Sequence, residues 1–287
     1  TISLIQNLPN YKEAVIGMLQ YTNTVSPLFA KYLFESIAET VNNTKTYDDL
    51  KETLPYFINI LKLGITEQEY HHNLSYILYI FGKEAIKCMT FISPFLPELN
   101  PLIFQCYAQT EDPEAISCLS LLARATQGDY EPYLNDLMEL LLQVSERLDS
   151  NPHMSCLSFS LNNLKKCNLD LSPYIQKFAS VMIEIIQRRE KDLTIFADFL
   201  YVFINYFQDE EYFILLSESV VPLIRLVFEN VSILDNVAST EGEKDDERDN
   251  FIQKACMFIN IVYSRAGQQE SAQMQWMQLG YKIFESA

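Results

Sequence analysis

Pro132-Tyr133-Leu134, a proline followed by an aromatic and an aliphatic residue, opens a long run of helical periodicity. Leu134, Leu137, Met138, Leu141 and Leu148 fall on one helix face. Asn135, Asp136, Glu139, Gln143, Glu146 and Arg147 fall on the other. The same figure recurs as Pro55-Tyr56-Phe57, Pro94-Phe95-Leu96 and Pro173-Tyr174-Ile175, and more loosely as Pro222-Leu223-Ile224. Successive prolines are 39, 38, 41 and 49 residues apart. Proline suits a helix start, because its ring fixes φ near the helical value and its missing N–H would have no partner there. Ser93 and Ser172, just upstream, are N-cap types. Each figure therefore predicts the second (B) helix of a helix pair. Prolines open helices in any all-α protein, but the shared neighbours and near-equal steps favour a repeat.

Self-similarity at about 40 residues is the signature of stacked helix pairs, and HEAT and armadillo units have that length. The expected fold is all-α: a HEAT-repeat αα-superhelical solenoid of about six to seven helix pairs, filling residues 1–287 as a single solenoid. Each unit of such a stack packs only on its neighbours, so 287 residues need no single compact core. Hydrophobic content of 48%, with 18 Phe and 17 Tyr, suffices for a continuous core. Only 7 Gly are present, which argues against phosphate loops and tight hairpins. The chain begins at Thr1 on an apolar segment and is expected to be a fragment of a longer protein.

Helices are expected over residues 11–22, 27–41, 48–63 and 66–81. Pro55 lies in the middle of the third and predicts a bend near Thr53. Thr66-Glu67-Gln68-Glu69 reads as a capping box for the fourth, and Gly82 as its stop. Asp112-Pro113 starts a helix through Thr126, closed by Gln127-Gly128. Further helices are expected over 132–148, 151–167, 173–189 and 191–207, and another segment begins at 209 and leads to Pro222. Residues 238–250 carry no apolar period, and 241–249 hold six acids and two bases, which predicts a solvated acidic loop. A last pair follows over 251–265 and 270–284.

The net charge of −17 disfavours direct nucleic-acid binding and anionic membranes, and favours a basic partner. No run of about 18 uncharged apolar residues occurs, so no membrane insertion is expected. Cys88, Cys106, Cys118, Cys156, Cys167 and Cys256 lie scattered in apolar helical stretches without a CxxC, and read as buried free thiols of a reducing compartment. The sequons at Asn42, Asn73 and Asn230 read as chance matches. His71-His72 are adjacent and cannot share a helix face; His153 and Cys156 can, but two ligands are too few for zinc. Asp245-Asp246-Glu247 lies in the charged segment rather than across a cavity. No GxSxG, HExxH or Walker loop is present, so neither an enzyme nor a cofactor is expected.

The stretch Gly82-Lys83-Glu84-Ala85-Ile86-Lys87-Cys88-Met89-Thr90-Phe91-Ile92-Ser93-Pro94-Phe95-Leu96 resembles the end of one HEAT repeat and the start of its B helix in the importin-β karyopherins. Gly128-Asp129-Tyr130-Glu131-Pro132-Tyr133-Leu134-Asn135-Asp136-Leu137-Met138-Glu139-Leu140-Leu141 is similar to the next repeat. Residues 255–267 look like the A helix of a near-terminal one. The resemblance covers residues 50–285 by pattern and 82–145 closely.

It implies a non-enzymatic nuclear transport receptor of cytoplasm, nucleus and nuclear pore. Such proteins hold a basic cargo or adaptor segment on a concave face lined by B helices. They dock phenylalanine–glycine (FG) nucleoporins in apolar grooves, and bind the GTPase Ran at repeats that would lie outside this chain. Carried over to this sequence, the partner-facing acids are Asp136, Glu139 and Glu146, with Glu184, Glu218 and Glu229 at repeat-equivalent places. The family also stacks tryptophans on basic side chains; this sequence departs there, with Trp276 alone. A HEAT scaffold subunit of a non-transport complex fits the same repeats.

Overall fold

The computed structural model describes residues 11–22, 32, 33, 36, 47–67, 74–146, 150–189, 192–236 and 243–266. Among them every regular element is helical. The helices are α1 (Tyr11–Thr22), α2 (Tyr47–Thr66), α3 (Leu74–Cys88), α4 (Leu96–Thr110), α5 (Pro113–Thr126), α6 (Glu131–Ser145), α7 (Asn151–Leu164), α8 (Ser172–Arg188), α9 (Leu193–Phe207), α10 (Glu210–Leu215), α11 (Ser217–Asn236) and α12 (Glu243–Ala266). Short 3₁₀ turns, Met89–Phe95 and Gln127–Tyr130, lead into α4 and α6.

The chain forms two compact units, residues 1–141 with 159–169, and residues 142–158 with 170–287. In the first, α2 packs on α3 and on α4, and α5 packs on both α3 and α4. In the second, α8 packs on α9 and on α11, and α12 packs on both α9 and α11. With the six-residue α10 set aside, these helices touch the next helix and the next but one, the connectivity of a stacked αα array. Counted in the same way, alternate helices begin at residues 74, 113, 151, 193 and 243, with steps close to those between the prolines. Side chains bridge the same interval. Ser75 to Asp112, Arg124 to Asn163, Asn168 to Gln127, Gln176 to Leu215 and Arg189 to Asn151 are hydrogen bonds between residues 37 to 41 apart. Lys62 and Glu98 pair at 2.6 Å over a similar separation.

Packing explains several elements. Within α5, Ala115 through Ala123 are all buried, as befits a helix covered on several sides. Its small residues permit close approach: a Cβ placed on Gly82 of α3 would lie 2.6 Å from Leu121 Cδ1 and 3.7 Å from the Cα of Cys118. In the second unit α9 buries Phe196, Phe199, Phe203 and Phe207. Their rings meet α12 at Phe196–Phe251 (5.0 Å) and Phe207–Phe258 (5.8 Å). Such tilted aromatic pairs contribute about 0.5–1.5 kcal/mol each beyond area burial.

The proline figure opens a helix at two of its five places. Pro132 and Pro173 are the second residues of α6 and α8. The N-cap position of α8 is Leu171 rather than Ser172, whose N–H donates to Asp170 Oδ1 at 2.9 Å. Pro94 and Ser93 lie in the 3₁₀ turn, and Pro97 takes the first turn of α4. Pro55 and Pro222 lie inside α2 and α11, which run on through them. Pro55 is exposed, so the hydrogen bond it forfeits is on the side where water can replace it.

Other expectations change. Thr66 ends α2 and donates back to Lys62 O at 2.9 Å, so it caps no following helix. Gly82 sits inside α3, where it serves close packing rather than a stop. The acidic loop expected over 238–250 is helical over 243–250, the start of α12, and residues 238–242 lie outside the described residues. Glu, Lys and Arg are good helix formers, and acids near a helix N-terminus are stabilised by the positive end of the macrodipole, so exposure alone does not forbid a helix there. Of the cysteines, Cys88, Cys106, Cys118 and Cys156 are buried, Cys167 is half-buried and Cys256 is exposed. Asn230 is buried and donates its amide to Leu226 O at 2.9 Å, which closes that sequon to a glycan. The helix expected over 27–41, the bulk of 66–73, His71-His72, Trp276 and the helix over 270–284 lie outside the described residues, apart from residues 32, 33, 36, 66 and 67.

Candidate partner-binding clefts

In the second unit, three clefts open around α8. The first, about 320 Å³, lies between the end of α6 and α8. Leu142, Val181 and Ile185 form its apolar side, and Glu146, Lys177, Glu184 and Arg188 its charged rim. The second, about 670 Å³, has Gln187 of α8 facing Val221, Pro222, Arg225, Leu226, Glu229 and Asn230 of α11. The third, about 970 Å³, gathers the start of α7, the end of α8, the start of α9 and Glu247 of α12. There Arg189 is tied to Asn151 and lies 3.0 Å from Asp192 Oδ2, and Asp192 caps α9 by accepting from Ile195 N at 3.0 Å.

The six sequence-derived acids divide between the units. Asp136 and Glu139 lie exposed on the part of α6 that belongs to the first, and Glu139 accepts from Asn135 Nδ2 at 3.1 Å. Glu146 and Glu184 share the rim of the first cleft, and Glu229 lines the second. Glu218 is exposed in the first turn of α11 and lines none of the three. Glu184 is already bonded to Arg188, one turn along the same helix. The rims are thus of mixed charge rather than acidic. Arg188 is legible in sequence as the i, i+4 partner of Glu184; Lys177 and Arg225 become cleft residues only through the packing of helices that are not consecutive in the chain.

The outward faces of α3 in the first unit, and of α9 and α12 in the second, carry exposed apolar residues. Tyr79, Tyr201 and Met257 are exposed, with Lys83 Nζ 5.2 Å from the Tyr79 ring and Lys254 Nζ 4.4 Å from the Tyr201 ring. Each lysine covers an aromatic face, a cation–π contact of about 0.5–1 kcal/mol at exposed sites. The Tyr201–Lys254 pair spans α9 and α12 and leaves no signal in the sequence. His153 and Cys156, three apart on α7, are both buried, and His153 Nδ1 bonds Ser150 Oγ at 2.7 Å. Among the described residues no group of three or more His, Cys, Asp or Glu could hold a metal ion. None of their helices is long and apolar enough to cross a membrane.

Fold and clefts define a class: an all-α protein of stacked helices, with mixed-charge clefts between alternate ones. Among curated proteins, the human and mouse transportin-1 are each 30% identical to it over 156 residues. That match covers 51% of this chain and 17% of either transportin-1. No family model matches the chain, and no solved structure matches it.

Proposed function

We propose that this chain is part of an importin-β-type nuclear transport receptor, a HEAT-repeat superhelix that works by binding rather than catalysis. The observation that carries this reading is the 30% identity to transportin-1 over half the chain. The repeat interval written in prolines, helix starts and side-chain bridges supports it. In this reading the clefts beside α8 take a basic cargo or adaptor segment, with Glu146 and Glu184 as its contacts. Asp136, Glu139, Glu218 and Glu229 add to the field that draws it in. FG nucleoporins dock on apolar grooves of the array. Ran engages repeats outside this chain, and the protein works in cytoplasm and nucleus and at the nuclear pore.

One observation favours a second reading, a non-transport HEAT scaffold subunit. Glu184 is matched by Arg188, and Lys177 shares the same rim, so the cleft has no net acidity of its own. The deciding experiment is capture of the chain on immobilised FG repeats, with a Lys/Arg-rich segment in parallel. Capture by FG repeats that survives high salt, with capture by the basic segment that does not, is the result expected of a transport receptor. Capture by neither leaves the scaffold.

A further inference from the structure

The joint between α2 and α3 contains a carboxyl group that the clefts do not use. Glu84 is 0% exposed. Along the same joint the two helices bury Leu54, Phe57, Ile58, Leu61, Ile77, Leu78 and Phe81. They approach closely enough that a Cβ on Gly64 would lie 2.7 Å from Ile77 Cδ1. Glu84 Oε1 accepts from Thr53 Oγ1 of α2 at 2.8 Å and from Cys88 Sγ at 3.5 Å. Its Oε2 has no hydrogen-bond partner. An isolated carboxylate in an apolar joint is costly, and a group so placed takes up a proton instead. With both donors on Oε1, the proton of the neutral acid belongs on Oε2.

We propose that Glu84 is a proton-operated latch, which holds α2 against α3 while neutral and loosens their joint when ionised. Burial raises the carboxyl to about 7, against the opposing pull of Thr53, Cys88 and Lys87. The sign follows. A carboxyl raised in the folded state from 4.5 gives its full stability below the unfolded value, and loses it as pH climbs through about 7.

The other charged groups at the joint can be named. On α3, the charge of Lys87 acts on Glu84, and that of Lys83 on Glu114 of α5. From α5, Asp112 accepts from Ser75, and the buried Cys118 has its thiol pushed well above the ordinary range by burial. The 3₁₀ turn Met89–Phe95 carries no ionisable side chain. On α2, Lys62 is paired with Glu98 and Tyr56 is exposed, and the remaining ionisable residues are Tyr47, Asp48, Asp49, Lys51 and Glu52. A comparison with Glu84→Gln separates the latch from all of these, because the amide keeps the shape and the Thr53 bond but cannot ionise.

The test is hydrogen exchange across α2 and α3 in the whole chain, wild type against Glu84→Gln, between pH 5 and 8.5, corrected for the intrinsic pH dependence of exchange. The latch predicts that opening of this joint in the wild type rises on the order of 100-fold over that range, while the variant stays flat. Equal pH dependence in the two chains overturns it. Infrared difference spectra of wild type minus Glu84→Gln give a second readout that needs no change in opening. A protonated-carboxyl band present at pH 6 and lost by pH 8.5 supports the latch; a band already absent at pH 6 overturns it.

Discussion

At Gln127 the backbone holds φ 54° and ψ −128°, which L-residues rarely adopt, and the side chain is bonded at both of its polar atoms. Its Nε2 donates to Arg124 O at 2.6 Å, and its Oε1 accepts from Asn168 N at 2.9 Å, one repeat further on. Strain of this kind costs roughly 1–3 kcal/mol. Gln127→Ala keeps the strain and loses both bonds, whereas Gln127→Gly loses the bonds but removes the strain. Denaturant unfolding should therefore find the Gly variant more stable than the Ala variant by about 1 kcal/mol or more; the reverse order would show that the residue is not strained. Nearby, Tyr130 Oη donates to Asn100 Oδ1 at 2.6 Å, with both residues buried. Tyr130→Phe leaves that acceptor orphaned and should cost about 1–3 kcal/mol by the same measurement. Gly82→Val should cost a similar amount, about 1–3 kcal/mol, because two methyl groups enter the α3–α5 contact, where one Cβ is already tight.

At the scale of the element, capping decides where helices begin and the clefts decide what they could hold. Asp112 caps α5 by accepting from Glu114 N at 2.9 Å, and also receives Ser75 from the preceding repeat. Asp112→Ala should lower stability by about 0.5–2 kcal/mol, with the loss of protection in hydrogen exchange concentrated at the first turn of α5. This cap was legible in Asp112-Pro113. The one read at Ser172 was not realised, because the helix starts at that residue. Beside α8, Glu146→Gln with Glu184→Gln should weaken binding of a Lys/Arg-rich segment by about two- to tenfold, the worth of exposed ion pairs. Unchanged affinity, measured by titration, would remove these two acids from the proposed interface. Of the six acids read from sequence, packing brings Glu146 and Glu184 to one cleft. The sequence pattern showed their exposure, but not that Arg188 and Lys177 share their rim.

For the whole molecule, the charge of −17 acts as a field rather than as a set of contacts. Exposed charges are screened over about 10 Å at 0.1 M salt, so association of a basic segment should slow steeply as salt rises. Rates flat across that range would mean that the field does not steer the partner. The repeat interval, the all-α class and the inward residues of α6 were all determined by the sequence alone. Leu134, Leu137, Met138 and Leu141 are buried as their spacing required. Periodicity and proline placement are local signals, carried by residues within a few turns of one another. Only the tertiary structure decided that α2 and α11 run through their prolines, that Gly82 is a contact rather than a stop, and that residues 243–250 are helical. It also decided that Glu84 lies sealed against Thr53. Each of these depends on which helix lies alongside or on which side water remains, and neighbours tens of residues away in the chain write nothing into the local pattern.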